Sequence, residues 1–366
     1  MKKKVLFCIY SGALDGIGRA LLAYISTLDI SNTEIHIGLF KPEGVLLSLF
    51  PSGTIIHVFS NLDTSLPSPS KQSIRDALQK KNWIKALTLT RLLLNCKIDH
   101  CSRPYYRYMF RRVSVPDIVF DEAQAFHGPW EIIDYWVCEK IKALSKIGWI
   151  HVDVSRMPID KQLIGRLFGN YQSINVVSRA SLAIFNALFP QFKGKTLLRL
   201  YPIDKKSIRD LASFGNTFKD SFSGTRILTV GRIAPEKGQR EAIEVLAELI
   251  QNRKNVAWYF VGDGEDIEYC TALADKLGVA KNVSFLGFHE NPYRYMQDCG
   301  LYVQPSRHEG YCISLAEACC FEKPIVSTNF SGAKEQLDGL PNTRIVGVNT
   351  TSLLSGILDL LPEQNG

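Results

Sequence analysis

The amino-acid sequence predicts an α/β protein built from two doubly wound domains in tandem. Short apolar runs typical of strands alternate with helical stretches along the chain, and this alternation favours parallel sheets covered by helices. At 366 residues the chain is also too long for one ordinary core. A polar, irregular stretch after Pro202 that continues through residues 221–224 indicates a linker. We therefore expect one sheet on each side of it.

The strand-like runs define the predicted domains. Seven precede the linker, at residues 5–10, 34–40, 54–59, 117–120, 147–152, 173–177 and 196–200. They give a first Rossmann-like domain at 1–204, interrupted by a basic helical insertion at 70–112. Six more, at 226–230, 256–261, 283–286, 301–304, 324–327 and 344–348, give a second domain at 205–350, followed by a C-terminal helix and tail at 351–366. Such sheets bind ligands at the carboxyl ends of their strands, so we expect a ligand in a cleft where the two sheets face each other.

Composition and cysteine usage restrict the class of protein. The sequence is 46% hydrophobic and 22% charged, which is typical of soluble globular proteins. No apolar run approaches the roughly 20 residues that cross a bilayer, and the short run at 5–10 leads into a glycine turn, so we interpret it as a first strand and not a secretory signal. Nine cysteines without metal-type spacing favour reduced thiols and a cytoplasmic location.

The positive charge is concentrated in one segment. Residues 70–112 carry eleven basic and two acidic side chains, a net charge of +9, within a chain whose total is +7. The segment also contains leucines and aromatic residues such as Trp83 and Tyr105, a mixture typical of helices that meet an anionic membrane surface. An ordinary solvated basic face explains it equally well. No recognised nucleic-acid motif accompanies the charge, so we do not expect a nucleic-acid partner.

Two carboxylates eight residues apart are the most specific local feature. Glu309 lies in a turn, and Glu317 is the only charged residue between Cys312 and Phe321, so a helix there must bury its carboxylate and provide partners for it. At helical rise the two acids lie roughly 12 Å apart, about the reach of a nucleotide sugar from ribose to hexose. A phosphate would suit the helix N-terminus between them. The alternative is a solvated acid and a structural ion pair.

A second motif opens the second predicted domain. A strand ends at Val230 and is followed by Gly231 and by two cations five residues apart, Arg232 and Lys237. The planar guanidinium and the ammonium could converge on a diphosphate. Cations in exposed turns are otherwise simply solvated.

These motifs resemble those of glycosyltransferase family 4, the retaining enzymes of the GT-B fold. Gly-Arg-x4-Lys, Val-Gly-Asp-Gly, Phe-Leu-Gly-Phe, Gln-Pro-Ser and Glu-x7-Glu occur in the family's order and approximate spacing. The resemblance implies that Arg232 and Lys237 hold the donor diphosphate, Glu309 the sugar hydroxyls and Glu317 the ribose. It also implies donor contacts from Phe288, Gly310, Tyr311, Cys312 and Ile313.

In the first domain the resemblance assigns two further elements. The loop around Gly16 and Gly18 matches the family's glycine-rich loop near the phosphates and acceptor, and His151 matches the histidine beside the donor sugar. Three positions depart from the pattern. Cys312 replaces a glycine, Gly18 stands where glutamate is common, and Tyr201 replaces an asparagine. None removes a charged member of the site, so the departures bear on the choice of sugar.

The resemblance implies a retaining hexosyltransferase in which His151, Arg232, Lys237 and Glu309 are catalytic. Its donor would be a nucleoside diphosphate sugar and its acceptor a saccharide or lipid-linked saccharide of a cell-surface polysaccharide. No cofactor beyond the donor is expected, and no metal, because the chain has no Asp-x-Asp motif and cations can replace one. The protein would be cytoplasmic and peripheral at the inner face of the membrane.

Two alternatives stay open. The glycines from Gly12 to Gly18 also resemble the cofactor turn of short-chain dehydrogenases, which would make the protein a nicotinamide-dependent oxidoreductase. That interpretation needs a Tyr-x3-Lys pair, for which the chain offers only Tyr201 with Lys205. The second alternative is a non-catalytic sugar-binding protein with the same fold.

Overall fold

The computed structural model describes residues 2–361, which form two compact units. The first contains the described residues up to Val177 together with Ser181–Leu200, and the second contains Ser178–Ala180 and the described residues from Tyr201 onward. The change of unit after Leu200 falls four residues before the predicted domain boundary. Residues 362–366 of the predicted tail lie outside the described residues.

The first unit is a parallel sheet of seven strands. They are β1 (Lys3–Cys8), β2 (Thr33–Leu39), β3 (Ile55–Val58), β4 (Phe120–Ala125), β5 (Ala143–Ile150), β6 (Ser173–Val176) and β7 (Thr196–Leu198). Their order is β3-β2-β1-β4-β5-β6-β7, and all pairs are parallel. The strand order reverses between β1 and β4, which is where a doubly wound sheet leaves a crevice at its carboxyl edge.

Seven helices accompany this sheet. They are α1 (Gly16–Ile25), α2 (Lys71–Gln79), α3 (Trp83–Asp99), α4 (Arg103–Met109), α5 (Glu131–Glu139), α6 (Lys161–Phe168) and α7 (Arg179–Leu188), with short 3-10 helices at Val45–Leu49, Val154–Arg156 and Pro190–Lys195. The predicted insertion at 70–112 therefore consists of α2, α3 and α4. Ser70 begins α2 with a capping box, and the Asn82 side chain accepts from the Lys85 amide to begin α3.

One predicted strand lies too early in the sequence. We expected it at 117–120, whereas β4 begins at Phe120 and continues to Ala125. Its polar residues concealed it, although Ala123 and Ala125 are fully buried. The polar side chains find partners instead of solvent, since Asp121 accepts from the Lys4 amide at 2.7 Å.

The second unit repeats the architecture with six parallel strands. They are β8 (Thr225–Val230), β9 (Val256–Val261), β10 (Val283–Gly287), β11 (Leu301–Gln304), β12 (Ile325–Thr328) and β13 (Thr343–Val346). Their order is β10-β9-β8-β11-β12-β13, so the reversal lies between β8 and β11. The helices are α8 (Lys205–Ala212), α9 (Gln239–Gln251), α10 (Ile267–Lys276), α11 (Tyr293–Asp298), α12 (Ile313–Ala318), α13 (Ala333–Leu337) and α14 (Thr350–Leu358), with 3-10 helices at Pro235–Lys237 and Ala280–Asn282.

Both faces of the second sheet are covered. Along β9 the side chains of Trp258 and Phe260 enter one apolar cluster while Tyr259 and Val261 enter the other, which is the pattern of a strand buried on both faces. Helix α14 contributes Leu353 and Ile357 to the first of these clusters, so the predicted C-terminal helix packs within the second unit. Within residues 2–361, no helix combines the length and apolar character needed to span a membrane.

Candidate functional site

The carboxyl edge of the second sheet brings two loops together at its switch point. One loop follows β8 and the other follows β11, and the Arg307 amide donates to the Glu236 carbonyl oxygen at 2.8 Å. Gly238 makes this approach possible. Its φ is +77°, and a Cβ there would lie 2.0 Å from the Pro305 carbonyl oxygen. The loops therefore meet closely because residue 238 has no side chain.

Lys237 and Glu309 form the centre of this arrangement. Lys237 Nζ donates to Glu309 Oε1 at 2.6 Å, and their side chains are only 21% and 12% exposed. Burial acts to lower the pKa of Lys237, but the charge of Glu309 outweighs it, so the pKa lies above its usual value. The fold thus pairs two predicted site residues that are 72 positions apart in the sequence.

A chain of buried polar side chains orients Glu309. Tyr302 OH donates to Gln304 Oε1 at 2.8 Å, Gln304 Nε2 donates to Ser306 Oγ at 2.9 Å, and Ser306 Oγ donates to Glu309 Oε1 at 2.9 Å. Satisfied networks of this kind hold one arrangement rigidly. Neither Tyr302 nor Gln304 was among the predicted site residues, although the Gln-Pro-Ser motif was a usable signal for Gln304.

The guanidinium of Arg232 forms ion pairs with two glutamates. Its guanidinium donates to Glu265 Oε1 at 3.1 Å and also pairs with Glu236, while its side chain remains 53% exposed. The sequence motif predicted a phosphate contact for Arg232 and did not indicate these acidic partners. A phosphate at Arg232 must therefore compete with two carboxylates, whose hold on an exposed cation is weak.

The turn that follows Glu309 ends in a strained residue. Cys312 has a φ of +71°, a conformation that glycine adopts readily and other residues rarely do, and it lies directly before α12. Burial, followed by the charge of Glu309, raises the pKa of its thiol to about 12. Cysteine therefore occupies a position whose backbone suits the glycine expected from the family pattern.

Helix α12 is shorter than predicted. The apolar pattern predicted a helix through Phe321, but the structure has one only at Ile313–Ala318. The left-handed conformation of Cys312 prevents the helix from extending back toward Glu309, so the estimate of 12 Å, which assumed helical rise throughout, does not apply between Glu309 and Ile313.

Glu317 is buried, as its place in an apolar helix predicts. Its side chain is 4% exposed, and Tyr293 OH donates to its Oε1 at 2.9 Å. Burial raises the pKa of nearby Tyr302 well above its usual value, and the charges of Cys312 and Glu317 add to the shift. Tyr293 was not among the predicted site residues, because nothing in its local sequence indicates a buried contact with Glu317 of α12.

Phe288 and Tyr311 have different surroundings. Phe288 follows β10 at the carboxyl edge of the sheet and is about half exposed. The Tyr311 ring is nearly buried and packs edge-on against Tyr201, with ring centroids 5.2 Å apart. Tyr201, which replaces the family's asparagine, thus supports the turn that contains Gly310 and Tyr311.

The predicted glycine loop of the first unit begins α1. Asp15 Oδ1 accepts from the Gly18 amide at 2.9 Å and so caps the helix. A Cβ at Gly18 would lie 2.6 Å from the Ala13 carbonyl oxygen, so a side chain at this position would require the loop to shift. Gly16 has open space around its Cβ position and is exposed.

His151 follows β5 and is buried. Its Nε2 contacts the Phe126 carbonyl oxygen, and its ring stacks parallel to Trp149 with centroids 5.4 Å apart. Burial lowers the pKa of His151 to about 3, although the Phe126 carbonyl opposes the shift. The imidazole is therefore neutral at pH 7, with the proton on Nε2 because a carbonyl oxygen only accepts.

His127 is a partly buried histidine that was not among the predicted site residues. It follows β4 at the same edge of the first sheet, and burial lowers its pKa while Asp15 opposes the shift. The early placement of the predicted strand at 117–120 concealed it. A strand placed at Phe120–Ala125 shows His127 after β4 just as His151 follows β5.

The dehydrogenase alternative gains no support from the fold. Tyr201 lies before α8, which begins at Lys205, so the single Tyr-x3-Lys pair is not carried on a helix.

Part of the chain is similar in sequence to known glycosyltransferases. Residues 221–364 match the family model described as glycosyl transferases group 1. The chain is 31% identical over 207 residues to the N-acetylgalactosamine-N,N'-diacetylbacillosaminyl-diphospho-undecaprenol 4-alpha-N-acetylgalactosaminyltransferase of Campylobacter jejuni, covering 56% of this chain and 55% of that protein. It is 28% identical over 173 residues to an uncharacterized glycosyltransferase of Methanocaldococcus jannaschii, covering 45% of this chain and 41% of that protein. The matches thus span about half the length of these relatives.

The whole fold has solved counterparts. The crystal structure of Anabaena Alr3699/HepE in complex with UDP and glucose superposes with a TM-score of 0.67 at 17% identity, covering 98% of this chain and 89% of that chain. At this identity the likeness establishes the fold, two Rossmann-like α/β units as in GT-B glycosyltransferases. Residues 221–364, which contain Arg232, Lys237, Glu309 and Glu317, therefore carry the sequence pattern of the group 1 glycosyl transferases on a fold that solved glycosyltransferases share.

Proposed function

We propose that this protein is a retaining, metal-independent glycosyltransferase that moves a hexose from a nucleoside diphosphate sugar to an acceptor hydroxyl. The observation that carries the proposal is the contact between Lys237 and Glu309 at the switch point of the second sheet. It joins a cation suited to a diphosphate and a carboxylate suited to sugar hydroxyls, within the segment that matches the family model.

The chemistry follows from the charges that develop. The leaving group is a diphosphate, so the site must stabilise negative charge there and an oxocarbenium-like sugar opposite. Lys237 is already charged and largely shielded from water, while Arg232 can exchange its exposed contacts with Glu236 and Glu265 for phosphate oxygens. Two cations of the protein then supply the field that a metal would otherwise supply.

The carboxylate of Glu309 is oriented by two contacts on one of its oxygens. The contacts from Lys237 and Ser306 both fall on Oε1, which leaves Oε2 to accept from a sugar hydroxyl. Glu317 and the half-exposed Phe288 are proposed to hold the ribose and the base of the donor.

The first unit would act through neutral groups. His151 has too low a pKa to serve as a cation at pH 7, so it contributes a neutral imidazole beside the donor sugar. Gly16, with open space around it, allows the phosphates or the acceptor to approach the start of α1.

We propose a lipid-linked saccharide of a cell-surface polysaccharide as the acceptor. The Campylobacter relative is named for an acceptor linked to diphospho-undecaprenol, and the Anabaena structure contains UDP and glucose. We further propose that the enzyme is cytoplasmic and peripheral at the inner face of the membrane, where it would meet such an acceptor.

The test is a donor screen. UDP-, GDP-, ADP- and dTDP-activated hexoses are incubated with the protein, and released nucleoside diphosphate is measured. We expect one base to support hydrolysis, with release lost in Glu309→Gln and retained in Glu244→Gln, a matched change of an exposed glutamate on α9. Nucleotide binding without release in any combination, including added lipid-linked acceptors, would favour the non-catalytic sugar-binding protein.

A further inference from the structure

Helix α3 exposes an apolar stripe along its outward face. The side chains of Trp83, Ile84, Leu87, Leu94 and Ile98 are between 54% and 82% exposed. Residues 84, 87, 91, 94 and 98 follow helical spacing, so four of the five apolar side chains align along one line, with Arg91 midway. The stripe runs along roughly 20 Å of helix.

This stripe is not a poorly packed part of the core. The opposite face of α3 already supplies Ala86, Leu89 and Leu92 to the core of the first unit. The helix is therefore apolar on two faces, and the side chains of the outward one are more than half exposed among the described residues. Large exposed apolar stripes of this kind usually mark an interaction surface.

The charges beside the stripe favour an anionic partner. Lys80 and Lys81 lie just before α3, Arg91 lies within the stripe, and Lys97 lies near its end, all of them exposed. An apolar helix face bordered by cations fits the boundary between the headgroups and acyl chains of an anionic bilayer.

A second copy of the chain fits this face poorly. Because Arg91 lies midway between Ile84 and Ile98, two stripes aligned over their full length would oppose Arg91 to its counterpart in either a parallel or an antiparallel pair. Two heptads are also shorter than a stable coiled coil requires. In a bilayer the same arginine meets lipid phosphates.

We infer that α3 docks the first unit on an anionic lipid bilayer, with its apolar stripe in the interface and Lys80, Lys81, Arg91 and Lys97 on the headgroups. The inference deepens the proposed function, because it names the surface that would meet a membrane carrying the acceptor. The vesicle assay itself needs no turnover.

Several residues of the predicted membrane segment at 70–112 are buried or paired within the protein. Tyr105 and Leu92 belong to the core, and Arg103 and Arg111 are paired with Glu139 and Asp63. The Lys85 ammonium donates to the Ser65 carbonyl oxygen. Of the segment at 70–112, the outward face of α3 and its neighbouring cations form the docking surface.

Sedimentation with vesicles of phosphatidylglycerol and phosphatidylcholine, compared with phosphatidylcholine alone, tests the inference. A charge variant changes Lys80, Lys81, Arg91 and Lys97 to Gln, and its control changes four exposed lysines elsewhere, Lys193, Lys206, Lys276 and Lys281. An apolar variant changes Ile84, Leu87, Leu94 and Ile98 to Gln, and its control changes Ile30, Leu144, Leu211 and Phe214. Thermal unfolding establishes that each variant is folded.

We expect the parent and both controls to bind anionic vesicles and to dissociate at high salt. Each basic residue near such a surface strengthens binding about fivefold, so the charge variant should bind at least tenfold more weakly, and the apolar variant should lose binding as well. Trp83 provides a separate readout. Its fluorescence should shift to the blue on binding, and Trp83→Phe should reduce that shift, because Trp136, Trp149 and Trp258 are already fully buried and Trp130 is partly buried against the core.

Two results would overturn the inference. One is equal vesicle binding by the parent, the charge variant and the apolar variant, including no binding by any of them. The other is a dimer of the parent in analytical ultracentrifugation that the apolar variant abolishes, since this would make a second copy the occupant. Donor hydrolysis without vesicles is measured separately, so failure of docking and failure of the proposed function are distinguishable.

Discussion

Replacing Glu317 with Gln tests the role of the buried acid in α12 directly. The change keeps the shape of the side chain, and its amide oxygen can still accept from Tyr293 OH, now at 2.9 Å from the carboxylate. Because the side chain is only 4% exposed, removing the charge also removes a desolvation penalty. We expect the free energy of unfolding to change by less than about 1 kcal/mol.

Nucleotide binding should respond much more strongly. A carboxylate can accept from both hydroxyls of a ribose, whereas an amide has one acceptor oxygen and no charge. Losing one charge-assisted hydrogen bond is worth about 1.5 to 3 kcal/mol, which corresponds to a Kd raised roughly 10- to 150-fold. Calorimetric titration with UDP, GDP and ADP, carried out on the parent and on Glu317→Gln, measures this difference.

Tyr293→Phe is the matched control. It removes the donor to Glu317 but keeps the carboxylate, so it should lower stability by about 1 to 3 kcal/mol and affect nucleotide affinity less than Glu317→Gln does. Unchanged affinity in a Glu317→Gln protein with a native unfolding curve would refute the assignment of Glu317 to the ribose.

Three further predictions concern charge, backbone and pH. Arg232→Met should reduce turnover roughly 30- to 1000-fold, whereas the free energy of unfolding measured in urea should change by less than about 1 kcal/mol because the ion pairs of Arg232 are exposed. Activity that EDTA abolishes and magnesium restores would contradict the proposed electrostatics. Gly238→Ala should destabilise the protein by about 1 to 3 kcal/mol more than Gly278→Ala. Both glycines have φ above +70°, but of the two only residue 238 would place its added Cβ against a carbonyl oxygen, that of Pro305. Equal losses of stability in urea unfolding would disprove this. Burial raises the pKa of Asp134 to about 7, so the folded protein binds the extra proton and this group's contribution to stability falls as pH rises from about 4 to 7, by on the order of 4 kcal/mol. His151 has the opposite effect, because its contribution to stability is lost as pH falls from about 6.5 toward 3. The difference in urea unfolding between the parent and Asp134→Asn across this range therefore isolates the contribution of Asp134. Parallel pH curves for the two proteins would refute the prediction.

The sequence contained most of the fold. Strand-like runs separated by helical patterns located twelve of the thirteen strands in the described residues, because the strands of a helix-covered parallel sheet are short apolar runs. The prediction failed at β4 because this strand contains polar residues that are hydrogen-bonded within the fold. Asp121, for example, accepts from the Lys4 amide, and a sequence does not show such partners. The burial of Glu317 was likewise predictable from the sequence, because a helix that is apolar on almost every face buries the single charged residue it carries.

Contacts between distant segments needed the tertiary structure. The pairing of Lys237 with Glu309 depends on β8 and β11 being neighbours, and on Gly238 allowing one loop to approach Pro305. The acids that hold Arg232 and the exposed stripe on α3 were equally hidden, since a sequence shows which residues are basic or apolar but not which of them find partners. Local patterns arise from interactions between near neighbours, and so the sequence by itself determined the elements and the candidate residues. Strand order and loop packing decide which distant side chains meet, and so only the tertiary structure decided how those residues are paired, oriented and exposed.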